Sequence, residues 1–142
     1  MQYRSTRGES PAVSFSEALL AGLAPDGGLY VPTEWPQFAP GDFTAGASLA
    51  AAARTLIAPF TAGDMLAAAL DEITAEAFNF PAPLVPVGQA DYSVLELFHG
   101  PTAAFKDFGA RFLAASLARL RPAGARPLEI LVATSGDTGG AV

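Results

Sequence analysis

The sequence predicts an α/β protein: a mostly helical N-terminal region over residues 1–86, followed by the start of a parallel βαβ sheet domain over 87–142. Three observations predict it. Apolar residues recur at helical spacing through much of the first eighty positions. The stretch 79–88, NFPAPLVPVG, then breaks that spacing with three prolines and a glycine and reads as a boundary. Beyond it, two short apolar runs flank one long helical pattern, the alternation that a parallel sheet with a crossover helix requires.

The first element is a short helix beginning after Ser14, which stands three residues before Glu17 at the spacing of a capping box, and ending at Gly22. Asp26-Gly27-Gly28 makes a turn, and Leu29-Tyr30-Val31 a brief extended piece closed by Pro32. Loop residues around Trp35 and Pro36 lead to an alanine-rich helix over 48–57. Thr61 and Asp64 open another, in which Met65, Leu66, Ala69, Leu70, Ile73 and Ala77 share a face. Past the boundary, a strand is predicted over 94–98, a helix over 102–120, a loop over 121–127 and a strongly apolar strand over 128–133. The crossover should be right-handed and the functional loops should lie at the carboxyl ends of the strands. Residues 140–142 would open a further helix, so a chain cut inside a larger α/β protein is expected.

Composition narrows the function. The 142 residues are 51% hydrophobic with a formal charge of −6, enough apolar material for a core. Eight Lys+Arg against fourteen Asp+Glu, with no basic run, leave nucleic acid a poor partner. The polar N-terminal residues lack the apolar segment of a signal peptide, so a cytoplasmic protein without membrane attachment is expected. With no cysteine and a single histidine, His99, a metal centre is not expected.

Two constellations could carry chemistry. On a helix capped by Thr102, positions 106, 109, 110, 113 and 117 form one stripe reading Lys, Gly, Ala, Leu, Leu, while Asp107 and Arg111 can pair on the neighbouring face. Lys106 would then head an apolar face at the positive end of a helix dipole. Both conditions disfavour an ammonium and favour a free amine suited to Schiff-base chemistry. The plainer reading is a lysine whose stem lies on a half-buried turn while its head reaches water. The second constellation is the turn Thr134-Ser135-Gly136-Asp137-Thr138 after the apolar run, where backbone N–H groups and hydroxyls suit a carboxylate or phosphate. No Gly-Lys-Ser/Thr succeeds it, so it is not a nucleotide-hydrolase phosphate loop. A tight turn with ordinary caps explains it equally. His99 could act as a base, although a lone histidine is more often a hydrogen-bond partner.

The segments LELFHGPTAAFKDFG and ATSGDTGGAV, with STRG and GLAPDGGLYVP nearer the start, resemble those of threonine synthases, which are fold-type II pyridoxal-phosphate enzymes. The resemblance spans most of the chain. It implies a pyridoxal 5'-phosphate-dependent carbon–oxygen lyase that converts O-phospho-L-homoserine and water to L-threonine and phosphate. It makes Lys106 the catalytic and cofactor-binding lysine and Asp137 a second cofactor contact. Thr134, Ser135, Gly136 and Thr138 would hold the substrate carboxylate. It further implies that 1–86 is the family's own N-terminal helical domain, that 87–142 opens the catalytic domain, and that the cofactor-phosphate loop and the partner of the pyridine nitrogen lie beyond Val142. The isolated piece would then be inactive, and its unpaired strand edge would favour self-association. The rival readings are another fold-type II lyase, such as a dehydratase or a cysteine synthase, and a non-catalytic binding domain.

Overall fold

The computed structural model describes residues 1–88, 91–122, 124–126 and 129–142. Its element order is β1 (Tyr3–Ser5), α1 (Phe15–Ala21), β2 (Tyr30–Pro32), a short 3₁₀ turn (Pro40–Asp42), α2 (Leu49–Thr61), a second 3₁₀ turn (Met65–Ala69), α3 (Leu70–Ala77), β3 (Leu84–Pro86), β4 (Ser93–Leu95), α4 (Lys106–Leu120) and α5 (Asp137–Ala141).

The helix starts obey local chemistry. Ser14 caps α1 by accepting the Glu17 N–H at 3.2 Å, and Glu17 accepts the Ser14 N–H at 2.8 Å, the reciprocal box its spacing predicts. Ser48 caps α2, and Asp64 caps the second 3₁₀ turn by accepting the Leu66 N–H at 2.9 Å. Asp64 also accepts both the N–H and the hydroxyl of Ser16, which ties α1 to that turn. Burial raises the Asp64 pKa, but these hydrogen bonds outweigh it and leave the group below the usual carboxylate value.

The helices share one apolar interior. Ala53, Ala77 and Phe78 form one buried cluster, against which Leu49, Ile57, Phe108 and Phe112 pack. Leu66, Ile73 and Ala115 form a second, with Phe15, Leu19 and again Phe112. Phe112 thus joins both, its ring stacked on Phe78 with centroids 6.1 Å apart and tilted against Phe15 at 6.5 Å. At the far end of the core Tyr3 donates its hydroxyl to the Phe60 carbonyl at 2.9 Å, and burial, with the Asp64 charge nearby, pushes its pKa up to about 12.

The N-terminal strand, which carries no local signal of its own, pairs antiparallel with β2, Arg4 opposite Val31. Asp26 locks this corner. Its carboxylate accepts the Ser5 hydroxyl at 2.7 Å, the Gly28 N–H at 2.9 Å and the Glu9 N–H at 3.0 Å. A Cβ on Gly28 would collide with the Ser5 hydroxyl and stand 3.0 Å from the Asp26 carboxylate, so STRG and PDGG fit only as a pair. The Ser5 hydrogen bond first, and the backbone donors after it, hold the Asp26 pKa down at about 2, from an ordinary 3.8. Because the folded value is depressed, the stabilisation is present above the ordinary carboxylate value and is lost as pH falls from there through about 2. Asp26→Asn should therefore lower the unfolding midpoint at neutral pH. The gap between variant and wild type should close in acid unfolding over that window.

Beyond residue 78 the strands depart from expectation in three places. The segment that reads as a breaker contains β3, which pairs antiparallel with β4, Val85 opposite Val94. Proline is tolerated there because an edge strand of a two-stranded hairpin leaves N–H positions facing solvent. The strand expected over 94–98 is accordingly the shorter Ser93–Leu95, and it belongs to a hairpin instead of a parallel unit. The strand expected over 128–133 falls partly on Leu128, outside the described residues; residues 129–134 form no ladder, and Leu131 is 95% exposed. Among the described residues both sheets are two-stranded and antiparallel. A strand exists only through a hydrogen-bonded neighbour, and no described strand lies beside 129–134.

Candidate active site

The helix carrying Lys106 begins three residues later than the Thr102 cap implies: α4 starts at Lys106 itself, and its N-cap, Phe105, makes no side-chain cap bond. Lys106 is half-buried, and its ammonium lies over the Phe105 ring, 4.5 Å from the centroid, a cation–π contact. The stripe expected to be the buried face is not. Gly109 and Leu113 are exposed, and the face turned to the core carries Phe108, Phe112, Ala115 and Ser116. Aromatic bulk decided the orientation, because two phenylalanines one turn apart bury more area than Ala110 and Leu113 could.

The predicted Asp107–Arg111 pair is also absent. Arg111 turns to the end of α3, where it donates to the Ala77 carbonyl at 2.9 Å, the Glu76 carbonyl at 2.8 Å and the Asn79 side chain at 3.0 Å, satisfying carbonyls that the helix leaves open. Asp107 turns the other way and is 1% exposed. It accepts the Thr102 N–H at 2.9 Å and the Thr102 hydroxyl at 2.7 Å. A Cβ on Gly100 would lie 2.8 Å from both Cβ and Cγ of Asp107, so the glycine of His-Gly-Pro-Thr is what lets the loop close on this carboxylate. Sequence reasoning missed Asp107 and Gly100. The available signal was the Gly-Pro-Thr turn placed five residues before an aspartate that was given a surface role.

His99 is exposed, with its ring stacked on Phe98 and one nitrogen 2.6 Å from the Glu96 carboxylate. This is the hydrogen-bonding role that a lone histidine suggests.

The second constellation forms the entry to α5. Thr134, Ser135, Gly136 and Asp137 are exposed and Thr138 is half-buried. Thr134 accepts the Gly136 N–H at 3.2 Å. Gly136 has φ +146°, a conformation that disfavours a side chain, and a Cβ on Gly139 would stand 2.5 Å from the Thr134 methyl. The glycines of SGDTGG thus permit a turn that presents hydroxyls and amides outward. Helix α5 packs on α4, whose first residue is Lys106. No described helix is long and apolar enough to cross a membrane.

The chain is an α/β protein with an amine at the head of one helix, a tight loop before it and a hydroxyl-rich turn at the entry to the helix packed beside it. The family profile described as "Threonine synthase N terminus" matches residues 2–78. Threonine synthase of Escherichia coli (strain K12) is 40% identical over 144 residues, spanning 100% of this chain and 33% of the relative. That of Pseudomonas aeruginosa is 42% identical over 147 residues, spanning 99% and 31%. The crystal structure of Escherichia coli threonine synthase superposes with a TM-score of 0.85 at 38% identity, over 99% of this chain and 33% of that one. An X-ray structure of PLP-bound threonine synthase from Brucella melitensis superposes with a TM-score of 0.76 at 46% identity, over 84% and 27%. The chain belongs to the threonine synthase family, and it spans about a third of the length of these curated relatives.

Proposed function

We propose that these residues serve a pyridoxal 5'-phosphate-dependent threonine synthase of its relatives' length, converting O-phospho-L-homoserine and water to L-threonine and phosphate. The observation that carries this reading is Lys106: the chain's one lysine, half-buried, at the head of α4 within the FKDFG segment. The residues present fit the cofactor, because a primary amine is what its aldehyde requires and the Phe105 ring gives that amine an apolar bed.

In this reading Lys106 would hold the cofactor through its Nζ, and Asp137 would contact it from the first position of α5. When bound, the cofactor supplies the electron sink that lets protons leave the substrate's carbon chain. The Lys106 amine would hold and move the proton at the substrate's Cα. Thr134, Ser135, Gly136 and Thr138 hold the substrate carboxylate through amides and hydroxyls and so fix Cα opposite the lysine. Residues 1–86 act as the helical N-terminal domain, and 87–142 open the catalytic domain.

The test is phosphate release from O-phospho-L-homoserine by the full-length protein, with threonine formed in equal amount. Release of phosphate without threonine, or no release, would defeat the reading. Within the same assay Asp137→Ala should leave cofactor attachment possible and depress turnover by about tenfold or more, the scale of a lost positioned contact. Unchanged kinetics would remove Asp137 from the site.

A further inference from the structure

We propose that Asp107 is the positioning residue for Lys106, holding the amine in place by clamping the loop that precedes it; this rests on the reading of Lys106 as the cofactor lysine. A buried carboxylate is costly unless its oxygens are satisfied, and Asp107, among the described residues, has no ion-pair partner. Among the described residues Thr102 supplies both oxygens, its N–H to one and its hydroxyl to the other. These bonds close a six-residue loop from 102 to 107, and Lys106 lies inside it.

The loop is held against its own preference. Ala103 has φ +56°, the one non-glycine residue of positive φ among those described, a conformation an alanine leaves unless its surroundings hold it there. The Ala103 N–H bonds the Gly100 carbonyl at 3.1 Å and the Asp107 N–H bonds the Ala104 carbonyl at 3.1 Å, so the turn and the helix start are continuous. Opening the Thr102–Asp107 bonds would let Ala103 return to an ordinary conformation and fray the first turn of α4. The Phe105 ring and the Lys106 amine above it would move together, because both are side chains of that loop.

The experiment uses the full-length protein and reads chemistry at the lysine instead of turnover. Pyridoxal 5'-phosphate is added to the apo form, trapped at intervals with borohydride, and the modified lysine is located by peptide mapping. Thr102→Val keeps the shape and removes the hydroxyl, Thr102→Ser keeps the hydroxyl, and Asp107→Asn keeps the volume and removes one acceptor. Because Thr102 is exposed, its variants should fold. Capture at Lys106 should slow by about tenfold or more in Thr102→Val and Asp107→Asn, the scale on which a misplaced reacting group is penalised, and Thr102→Ser should restore a near wild-type rate. A lowered melting temperature in Thr102→Val with wild-type capture per folded molecule would mean that the clamp is merely structural and would overturn the proposal. Wild-type label found on a different lysine would overturn the Lys106 reading itself, and the map separates that result from the first.

Discussion

Lys106→Ala in the full-length protein is expected to abolish covalent cofactor attachment and to cut phosphate release by several orders of magnitude, with the fold intact. Loss of its proton transfer alone accounts for roughly 10²- to 10⁴-fold, and loss of the anchoring amine adds to that. The fold should survive because an alanine at the first position of α4 costs the helix nothing in propensity. A lysine present only for its stem would behave differently: its removal would shift stability by about 1 kcal/mol or less and leave activity largely in place. Absorbance of the bound cofactor and a phosphate assay on the same preparation distinguish the two. Borohydride label found only beyond Val142 would refute the assignment.

Phe112→Ala is expected to be the most damaging single truncation on α4, costing about 3 kcal/mol in urea unfolding, near the lower end for a core phenylalanine because the ring is partly buried. It removes the one ring shared by the two core clusters and its stack on Phe78. Leu113→Ala, one residue on, should cost about 1 kcal/mol or less, since Leu113 is 37% exposed. The pair tests which face of α4 is the inner one. Equal losses at 112 and 113, or a larger loss at 113, would restore the stripe of 106, 109, 110, 113 and 117 as the buried face.

Much of the N-terminal half was legible because its signals are local. Ser14 and Glu17 meet within one helical turn, Ser48 and Asp64 each cap the helical turn directly after them, and Asp26-Gly27-Gly28 can only turn. The partner of β2 was not legible, since Tyr3–Ser5 becomes a strand only through residues some twenty-seven positions away, Arg4 opposite Val31. The same holds for the hairpin of β3 and β4, where the prolines of 79–88 argued locally for a breaker and an antiparallel neighbour admitted them at an edge. The site divides in the same way. Lys106 and the 134–138 turn stand out as residue types in a pattern, whereas the inward turn of Asp107 to Thr102 does not.

By itself the sequence determined the capped helix starts, the turn at Asp26, the lysine's place at the head of a helix and the run of residues that marks the family. These depend on groups within a few positions of one another, where backbone geometry dictates who can meet. The tertiary structure alone decided which face of α4 is buried, that Arg111 closes the end of α3, and that Asp107 turns inward to Thr102. Helical spacing offers several candidate faces, and the choice falls to the surface that the other helices present. Here α2 and α3 offered a socket for Phe108 and Phe112, and the rotation that filled it carried Asp107 out of reach of water and under the loop that leads to Lys106.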